Sequence, residues 1–337
     1  MHPPRIVGVT RVLSGIQPTG DMHLGNYVGA VHQWVLDQHE HDSFFCVVDL
    51  HALSADIDPQ TLRAKTLEVA SLLLAAGLDP EVCTLFVQSH VHQHAELGWL
   101  LGCVAGMGEL RRMTQFKDKT AKGDEGAARV GLFTYPVLQA ADILLYDTDR
   151  VPVGADQRQH LELCRDLAQR FNQRYGETFM VPEAAIPKVG ARVMDLQDPT
   201  MKMSKSRSSP QGKVVVLDPP EVTVKKIRRA VTDNESEVRY DPVTKPGVSN
   251  LLELLGVATG CRPEELAPKY SQYGQLKADT AAAVVEFLRP VQGRFRELWV
   301  DPAHVEDLLA TGADKAQAVA ADTLRRAGRA MGLLPRR

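Results

Sequence analysis

Apolar and polar positions along the first half of the chain alternate between two rhythms. The run Arg11-Val12-Leu13-Ser14-Gly15-Ile16-Gln17 reads as a strand, Pro18-Thr19-Gly20-Asp21 as a turn, and Leu24, Val28, Val31 and Val35 then recur at helical spacing. Phe44-Phe45-Cys46-Val47-Val48-Asp49 is a second, buried strand. Asp58-Pro59 caps a helix that carries Leu62, Thr66, Val69, Leu73 and Ala76 on one face. Cys83-Thr84-Leu85-Phe86-Val87-Gln88 predicts a third strand, followed by a helix with Leu97, Leu101 and Val104. This βαβαβ order predicts a parallel sheet, whose ligands gather at the carboxyl ends of its strands where the strand order reverses. His23, Asp49 and His51 fall there.

The pattern changes twice further on. From Met107 to Asp149 it is less regular and contains Gly123-Asp124-Glu125-Gly126, which reads as an exposed loop in a flexible insertion. Val151-Pro152-Val153-Gly154-Ala155-Asp156-Gln157 then reads as a strand end turning into a helix, with Leu161, Cys164, Ala168 and Phe171 on one face and its amino end aimed at the site. Past Pro210 helical spacing takes over, through Val291, Phe295 and Leu298 and then Ala316, Ala320, Leu324, Ala327 and Met331. The expectation is an α/β domain followed by a helical one, and 337 residues are enough for two cores.

Composition narrows the class. An apolar share of 44% with 24% charged residues is that of a soluble globular protein, and no apolar run is long enough to span a bilayer. Met1-His2-Pro3-Pro4-Arg5 does not read as a secretory signal, so the expected location is the cytoplasm. Cys46, Cys83, Cys103, Cys164 and Cys261 are scattered, without a C-x-x-C pair, and read as reduced core residues. With 39 basic and 42 acidic residues, any polyanion must meet a local patch. Candidates are Arg111, Arg112, Lys117, Lys119 and Lys122, and later Lys225, Lys226, Arg228 and Arg229; the ordinary alternative for each is a solvated helix face.

Two short segments carry phosphate chemistry. His23-Leu24-Gly25-Asn26 opens a helix after a strand and a turn, where Gly25 lets a ligand approach the backbone and the first-turn N–H groups present positive charge. Lys202-Met203-Ser204-Lys205-Ser206 offers two ammonium groups among small hydroxyls, suited to holding a triphosphate. Together they suggest adenylyl transfer from ATP.

With these segments, several ordered blocks carry a resemblance. They are Ser14-Gly15-Ile16-Gln17-Pro18-Thr19-Gly20, Met113-Thr114-Gln115-Phe116-Lys117-Asp118-Lys119, Thr134-Tyr135-Pro136, Ala140-Ala141-Asp142-Ile143-Leu144, Val151-Pro152-Val153-Gly154, Ala230-Val231-Thr232-Asp233 and Lys245-Pro246-Gly247-Val248-Ser249-Asn250-Leu251-Leu252. In this order, nearly end to end, the chain resembles the bacterial tryptophanyl-tRNA synthetases, which are class I aminoacyl-tRNA synthetases. The resemblance implies a Rossmann-type catalytic domain over residues 1–206, with a dimer-interface insertion at about 107–150, and a helical anticodon-binding domain over 207–337. It also implies a homodimer, and as partners L-tryptophan and tRNA(Trp). ATP is the implied substrate, with Mg2+ accompanying it.

The resemblance assigns roles residue by residue. Lys119, Lys202, Lys205 and His23 would act on the phosphates. Gln17, Gly25, Asn26, Gly154, Asp156, Gln157, Val193, Met203 and Ser204 would complete the ATP site, with Val193 and Met203 presenting backbone to adenine. Asp142 would accept the indole N–H, Tyr135 and Gln157 would hold the substrate's amino group, and His51, Leu13, Gln139, Val151 and Val153 would surround the pocket. Leu13 stands where the family often has an aromatic residue, Gln139 where many bacterial members have Met, and Ala155 where an acidic residue is usual.

Other readings remain open at the level of sequence. A tyrosyl-tRNA synthetase shares the architecture, but the Ala-Ala-Asp-Ile-Leu and Met-Thr-Gln-Phe-Lys blocks favour tryptophan. Another nucleotidyltransferase would not need the long helical half, and a non-catalytic tRNA or tryptophan binder would not need the two lysines with His23 and Asp142. His90-Val91-His92-Gln93-His94 invites zinc, since alternate strand residues share a face. No fourth ligand is evident, so a polar loop at a strand end is preferred, and His39-Glu40-His41 is read the same way.

Overall fold

A computed structural model describes residues 8–335 except 121–127, 153, 155–156, 186–192 and 206–207, and the side chains of 118–120. Among the described residues five strands form one sheet in the order β3-β2-β1-β4-β5. They are β1 (Arg11–Ile16), β2 (Asp42–Val47), β3 (Thr84–Val87), β4 (Arg150–Pro152) and β5 (Glu183–Ala185), each parallel to its neighbour. β5 escaped the sequence reading because Glu-Ala-Ala has neither β-branched residues nor alternation. The order reverses between β1 and β4, and the segments that follow β1, β2 and β4 carry His23, His51 and Gln157. Phe45 and Val47 face one core and Phe44 and Cys46 the other, each side chain nearly fully buried. Burial of a side chain of this kind contributes about 1.5–3 kcal/mol, which explains why the sheet carries helices on both faces.

The helix after β1 departs from simple periodicity. A single turn α1 (Leu24–Asn26) leads into a π turn over Tyr27–Val31 and then α2 (His32–Asp37). The fully buried positions are Leu24, Tyr27, Val31 and Trp34, with Val28 and Val35 half-buried against the same core. After β2 come α3 (Asp49–Ala52) and α4 (Pro59–Ala76), the latter capped by the Asp58 carboxylate on the Thr61 N–H at 2.8 Å. After β3 come α5 (Gln93–Gly102), α6 (Met107–Arg111), α7 (Thr114–Thr120) and α8 (Val130–Leu144). The stretch from Met107, expected to be irregular, is therefore largely helical where it is described. Its short helices and internal Pro136 had masked the period; the Gly123–Gly126 loop lies outside the described residues.

α9 (Arg158–Tyr175) returns from β4, and its buried face is Leu161, Cys164, Leu167, Ala168 and Phe171. The carboxyl half holds α10 (Pro220–Arg228), α11 (Pro246–Thr259), α12 (Pro263–Leu266), α13 (Tyr273–Val300) and α14 (Pro302–Ala330). One apolar cluster runs from Met22 and Val31 through α4 to Leu252, Leu276 and Leu309, so these helices share a core with the sheet's flank. Of the cysteines, Cys46, Cys83 and Cys164 are buried as expected, whereas Cys103 is exposed.

α14 lies along the outer strand β3. A Cβ on Gly312 would sit 1.8 Å from the Leu85 carbonyl oxygen, so only glycine permits this approach, and the helix covers an edge that would otherwise be open for pairing. Gly312→Ala is expected to destabilise by at least about 1–3 kcal/mol, the usual cost of overpacking. Thermal unfolding checks this, and an unchanged midpoint would mean that α14 does not hold this position in solution.

Candidate active site

The amino-terminal phosphate segment is built on buried backbone. His23 is almost fully buried and caps α1, its Nδ1 accepting from the Asn26 N–H at 3.2 Å. Gly25 packs on that ring: a Cβ there would lie 3.1 Å from His23 Nδ1 and 3.6 Å from Val193 Cβ. The lysine segment is joined to it by two backbone ladders. Leu24 N–H donates to the Val214 carbonyl at 2.8 Å and Val216 N–H to the Met22 carbonyl at 2.9 Å. Met203 N–H donates to the Val193 carbonyl at 3.1 Å and Asp195 N–H to the Met201 carbonyl at 2.8 Å, so the lysine segment is one arm of a hairpin. In this arrangement the Val193 carbonyl and the Met203 amide are bonded to each other.

The ladders bring charge together. Lys205 Nζ donates to the Gln17 carbonyl at 3.1 Å and its Cβ lies beside Gly20, whose φ of 62° is in the region favoured by glycine. Burial first, and then the fields of Lys205, Lys213 and Lys202, lower the His23 pKa to about 4, so the ring is neutral at physiological pH. Lys213 was not anticipated from sequence. Its ammonium reaches the Lys205 carbonyl at 3.3 Å, adding a third cation just before the segment that bridges to His23. Burial, and next the charge of Lys65, hold Lys205 down at about 8. Such a cluster of cations is suited to a polyanion. Asp21 and Glu68 are carboxylates at this edge, and Lys65 already holds both, at 2.7 and 2.8 Å. Lys119, Asp156 and Ser206 lie outside the described side chains. Gln17, Gly154 and Lys202 are exposed, and Ser204 is half-buried.

The distal blocks brace the hairpin. Asn250 on α11 clamps Met194 in both directions, accepting from its N–H at 2.9 Å and donating to its carbonyl at 3.0 Å. Lys245, fully buried, bonds Asp233 at 3.0 Å, Glu235 at 2.7 Å and the Tyr273 hydroxyl at 2.8 Å. The Ala230–Asp233 and Lys245–Leu252 blocks thus meet behind the lysine segment.

A second polar centre lies deeper, between α3, β3 and α8. Asp142 is buried and accepts from His51 Nε2 on Oδ2, and from Gln88 Nε2 and His94 Nδ1 on Oδ1, each at 2.7 Å. Burial raises its pKa, but the facing His51 and His94 outweigh that and hold it well below the ordinary carboxylate value. A carboxylate has about four acceptor positions, and three are filled, leaving one on Oδ2. Tyr135 stands edge-on to His51, ring centroids 6.3 Å apart, with its hydroxyl 2.9 Å from Gln115 Oε1 and 2.6 Å from His160 Nε2. Gln139 Nε2 reaches Gln157 Oε1 at 3.4 Å, and Leu13 and Val151 are buried in the core beneath. Val153 lies outside the described residues.

Sequence reasoning missed Gln88, Gln115, His94 and His160 here. His94 in particular is no loop residue: it is fully buried on α5, with Tyr146 OH on its other nitrogen at 2.8 Å. Lys226 is corrected as well. It is buried and paired with Asp218 at 2.6 Å, and so is not a free cation for nucleic acid.

Residues 8–289 match the model of the class I tRNA synthetases for tryptophan and tyrosine. The chain belongs to that family. Among its relatives in the class I synthetase family, tryptophan–tRNA ligase 2 of Streptomyces avermitilis is 57% identical over 328 residues, covering 96% of this chain and 97% of that one. The Mycobacterium leprae tryptophan–tRNA ligase is 55% identical over 337 residues, covering 98% of each chain. The crystal structure of tryptophanyl-tRNA synthetase from Mycoplasma pneumoniae superposes with a TM-score of 0.89 at 38% identity, covering 97% of this synthetase and 98% of that chain. The Campylobacter jejuni enzyme complexed with ADP and tryptophan gives 0.84 at 35%, covering 96% and 100%.

Proposed function

We propose that this synthetase activates L-tryptophan with ATP to tryptophanyl-adenylate and pyrophosphate, then transfers the tryptophanyl group to the 3′-terminal adenosine of tRNA(Trp) with release of AMP. One observation carries the choice of amino acid: a buried, ionised Asp142 with a single acceptor position left. An indole has one polar hydrogen to offer, and a carboxylate inside an apolar wall is its natural partner. The tryptophan–tRNA ligases of Streptomyces and Mycobacterium, matched over nearly their whole length, support the same choice.

In the first step a carboxylate oxygen of tryptophan attacks the α-phosphorus of ATP, and the bond from that phosphorus to the bridging oxygen breaks, releasing pyrophosphate. The attacking carboxylate is already ionised at neutral pH, so no base is needed and the protein's work is positioning and charge stabilisation. Lys202 and Lys205, with Lys213 behind them, meet the charge that grows on the departing pyrophosphate, and Lys119 joins them by family resemblance. Neutral His23, with Asn26 and Gly25, frames the phosphates at the start of α1, and Gln17, Gly154, Asp156, Gln157, Val193, Met203 and Ser204 complete the nucleotide site. Tyr135 gives its one proton to Gln115 and accepts from His160, which leaves a lone pair for the substrate's ammonium, with Gln157 beside it. His51, Leu13, Gln139, Val151 and Val153 wall the indole. Magnesium would arrive with the nucleotide, held by phosphates and water, because Asp21 is committed to Lys65 and the described side chains offer cations here rather than ligands.

The working unit is a homodimer in the cytoplasm. Large apolar side chains stand exposed on α5, α6 and α8: Trp99 at 75%, Met107 at 61% and Val130 at 75%. Trp99→Glu is expected to shift the protein toward monomer in sedimentation; an unchanged dimer places the interface elsewhere. No helix among the described residues is long and apolar enough to cross a membrane. The helical half serves the anticodon, with Lys225, Arg228 and Arg229 exposed on or next to α10, and tRNA affinity should fall steeply with salt. Charging of a tRNA(Trp) transcript with labelled tryptophan tests the whole reaction: acceptance is expected, and preferential charging of tRNA(Tyr) with tyrosine would overturn it.

A further inference from the structure

The Asp142 carboxylate does not stand alone, and the groups behind it are ordered by their protons. His94 is wholly enclosed, with Nδ1 2.7 Å from Asp142 Oδ1 and Nε2 2.8 Å from the Tyr146 hydroxyl. Tyr146 is itself fully buried, wedged between the rings of Phe44 and Phe86 at centroid distances of 4.8 and 5.6 Å. A carboxylate can only accept, so His94 Nδ1 carries a proton. The Tyr146 hydroxyl then donates to Nε2, which fixes the ring's tautomer. With Gln88 Nε2 also on Oδ1 at 2.7 Å, that oxygen is saturated. The remaining acceptor position belongs to Oδ2, the oxygen that His51 touches.

The geometry points to His94 and Tyr146 as positioning residues for amino-acid selection: they pin Asp142 so that its one open lone pair is presented to the indole N–H. The inference rests on the assignment of Asp142 as indole acceptor. Without the Tyr146 hydroxyl the imidazole is free to carry its proton on Nε2, which would turn the Nδ1 lone pair against the carboxylate. Without His94 the carboxylate loses a charge-assisted bond and is held less firmly, and one lone pair of Oδ1 is opened while Gln88 keeps the other. The His94 side chain bonds Asp142 and Tyr146, away from the lysine segment, so the influence of His94 and Tyr146 should fall on the side-chain end of the substrate.

The test is the ratio of kcat/KM for tryptophan to that for its benzothiophene analogue, in which sulfur replaces the N–H, measured by pyrophosphate exchange. A site built around a polar hydrogen rejects the analogue that lacks it, by roughly a hundredfold or more in the native enzyme. His94→Leu is expected to shrink that ratio by about tenfold or more, the scale of one hydrogen bond to a charge. Tyr146→Phe, which removes one oxygen and keeps the ring packing, should shrink it less and raise the tryptophan KM with kcat and the ATP KM kept. His94→Asn, whose amide places an N–H near the position of Nδ1, should recover most of the ratio. A merely structural role would lower both rates together and leave the ratio fixed. If His94→Leu does not fold, Tyr146→Phe and His94→Asn carry the test. Unchanged ratios in the folded variants, alongside a collapsed ratio in Asp142→Ala, would overturn the inference and leave the Asp142 assignment standing. A native enzyme that treats the two substrates alike would overturn both.

Discussion

Lys205→Ala is expected to slow formation of tryptophanyl-adenylate by a hundredfold or more. Removing one preorganised group from a developing charge costs about 2.7–4 kcal/mol, and this ammonium has three features that put it at the upper end. It is partly withdrawn from water, it is tethered to the Gln17 carbonyl at 3.1 Å, and its backbone is held by Lys213. The tether lies on the loop just before His23, so the lysine is fixed relative to the phosphate end of α1 even before a nucleotide arrives. Single-turnover adenylate formation reads the loss directly, and an unchanged rate would remove Lys205 from the mechanism. A pH dependence accompanies it. The charged form is the useful one, and burial with the field of Lys65 holds the pKa at about 8, so kcat/KM for ATP should fall as pH rises through 8. Lys205→Arg, which keeps its charge throughout, should flatten that limb; a limb that persists in the arginine variant belongs to another group.

Asp142→Ala is the second large effect, on the amino acid rather than the nucleotide. A hydrogen bond to a charged acceptor contributes about 1.5–3 kcal/mol, and the substitution also strands the Gln88, His51 and His94 donors that now point at Asp142, at about 1–3 kcal/mol each where they find no new partner. The expected result is a fall of a hundredfold or more in kcat/KM for tryptophan, with the KM for ATP little changed and some loss of thermal stability. Near-native tryptophan kinetics would show that the indole is read elsewhere. The sign of the acid dependence also follows. The folded pKa of Asp142 lies well below the ordinary 3.8, so its contribution to stability is complete above that value and fades only as pH falls beneath it. Loss of tryptophan binding near pH 5 or 6 would therefore not come from Asp142.

Much of this was legible along the chain because local signals and tertiary outcome agree. Phe44 to Val47 and Leu85 to Val87 are apolar on both faces, as a sheet covered by helices requires, and Asp58-Pro59 announces α4 by capping alone. His23-Leu24-Gly25-Asn26 and Lys202 to Lys205 could be paired because phosphate chemistry needs both. What stayed hidden depends on distant partners. Nothing next to His94 in sequence reveals that Asp142 and Tyr146, 48 and 52 residues on, will enclose it, and a histidine among histidines reads as polar surface. Lys226 looks like part of a basic face until Asp218, eight residues earlier, claims its ammonium. The π turn at Tyr27–Val31 interrupts the helix, and no residue pattern marks it. Gly312 gives no sign of its role either, since the need for a bare Cα comes from the Leu85 carbonyl across the interface.

The central claim is that the phosphate segments and the Asp142 pocket serve one reaction, so the most direct measurement is exchange of labelled pyrophosphate into ATP by the purified protein, with each amino acid supplied alone. The account predicts exchange that depends on tryptophan and is at least a hundredfold weaker with tyrosine. Exchange supported by tyrosine as well as by tryptophan, or none with either, would contradict it.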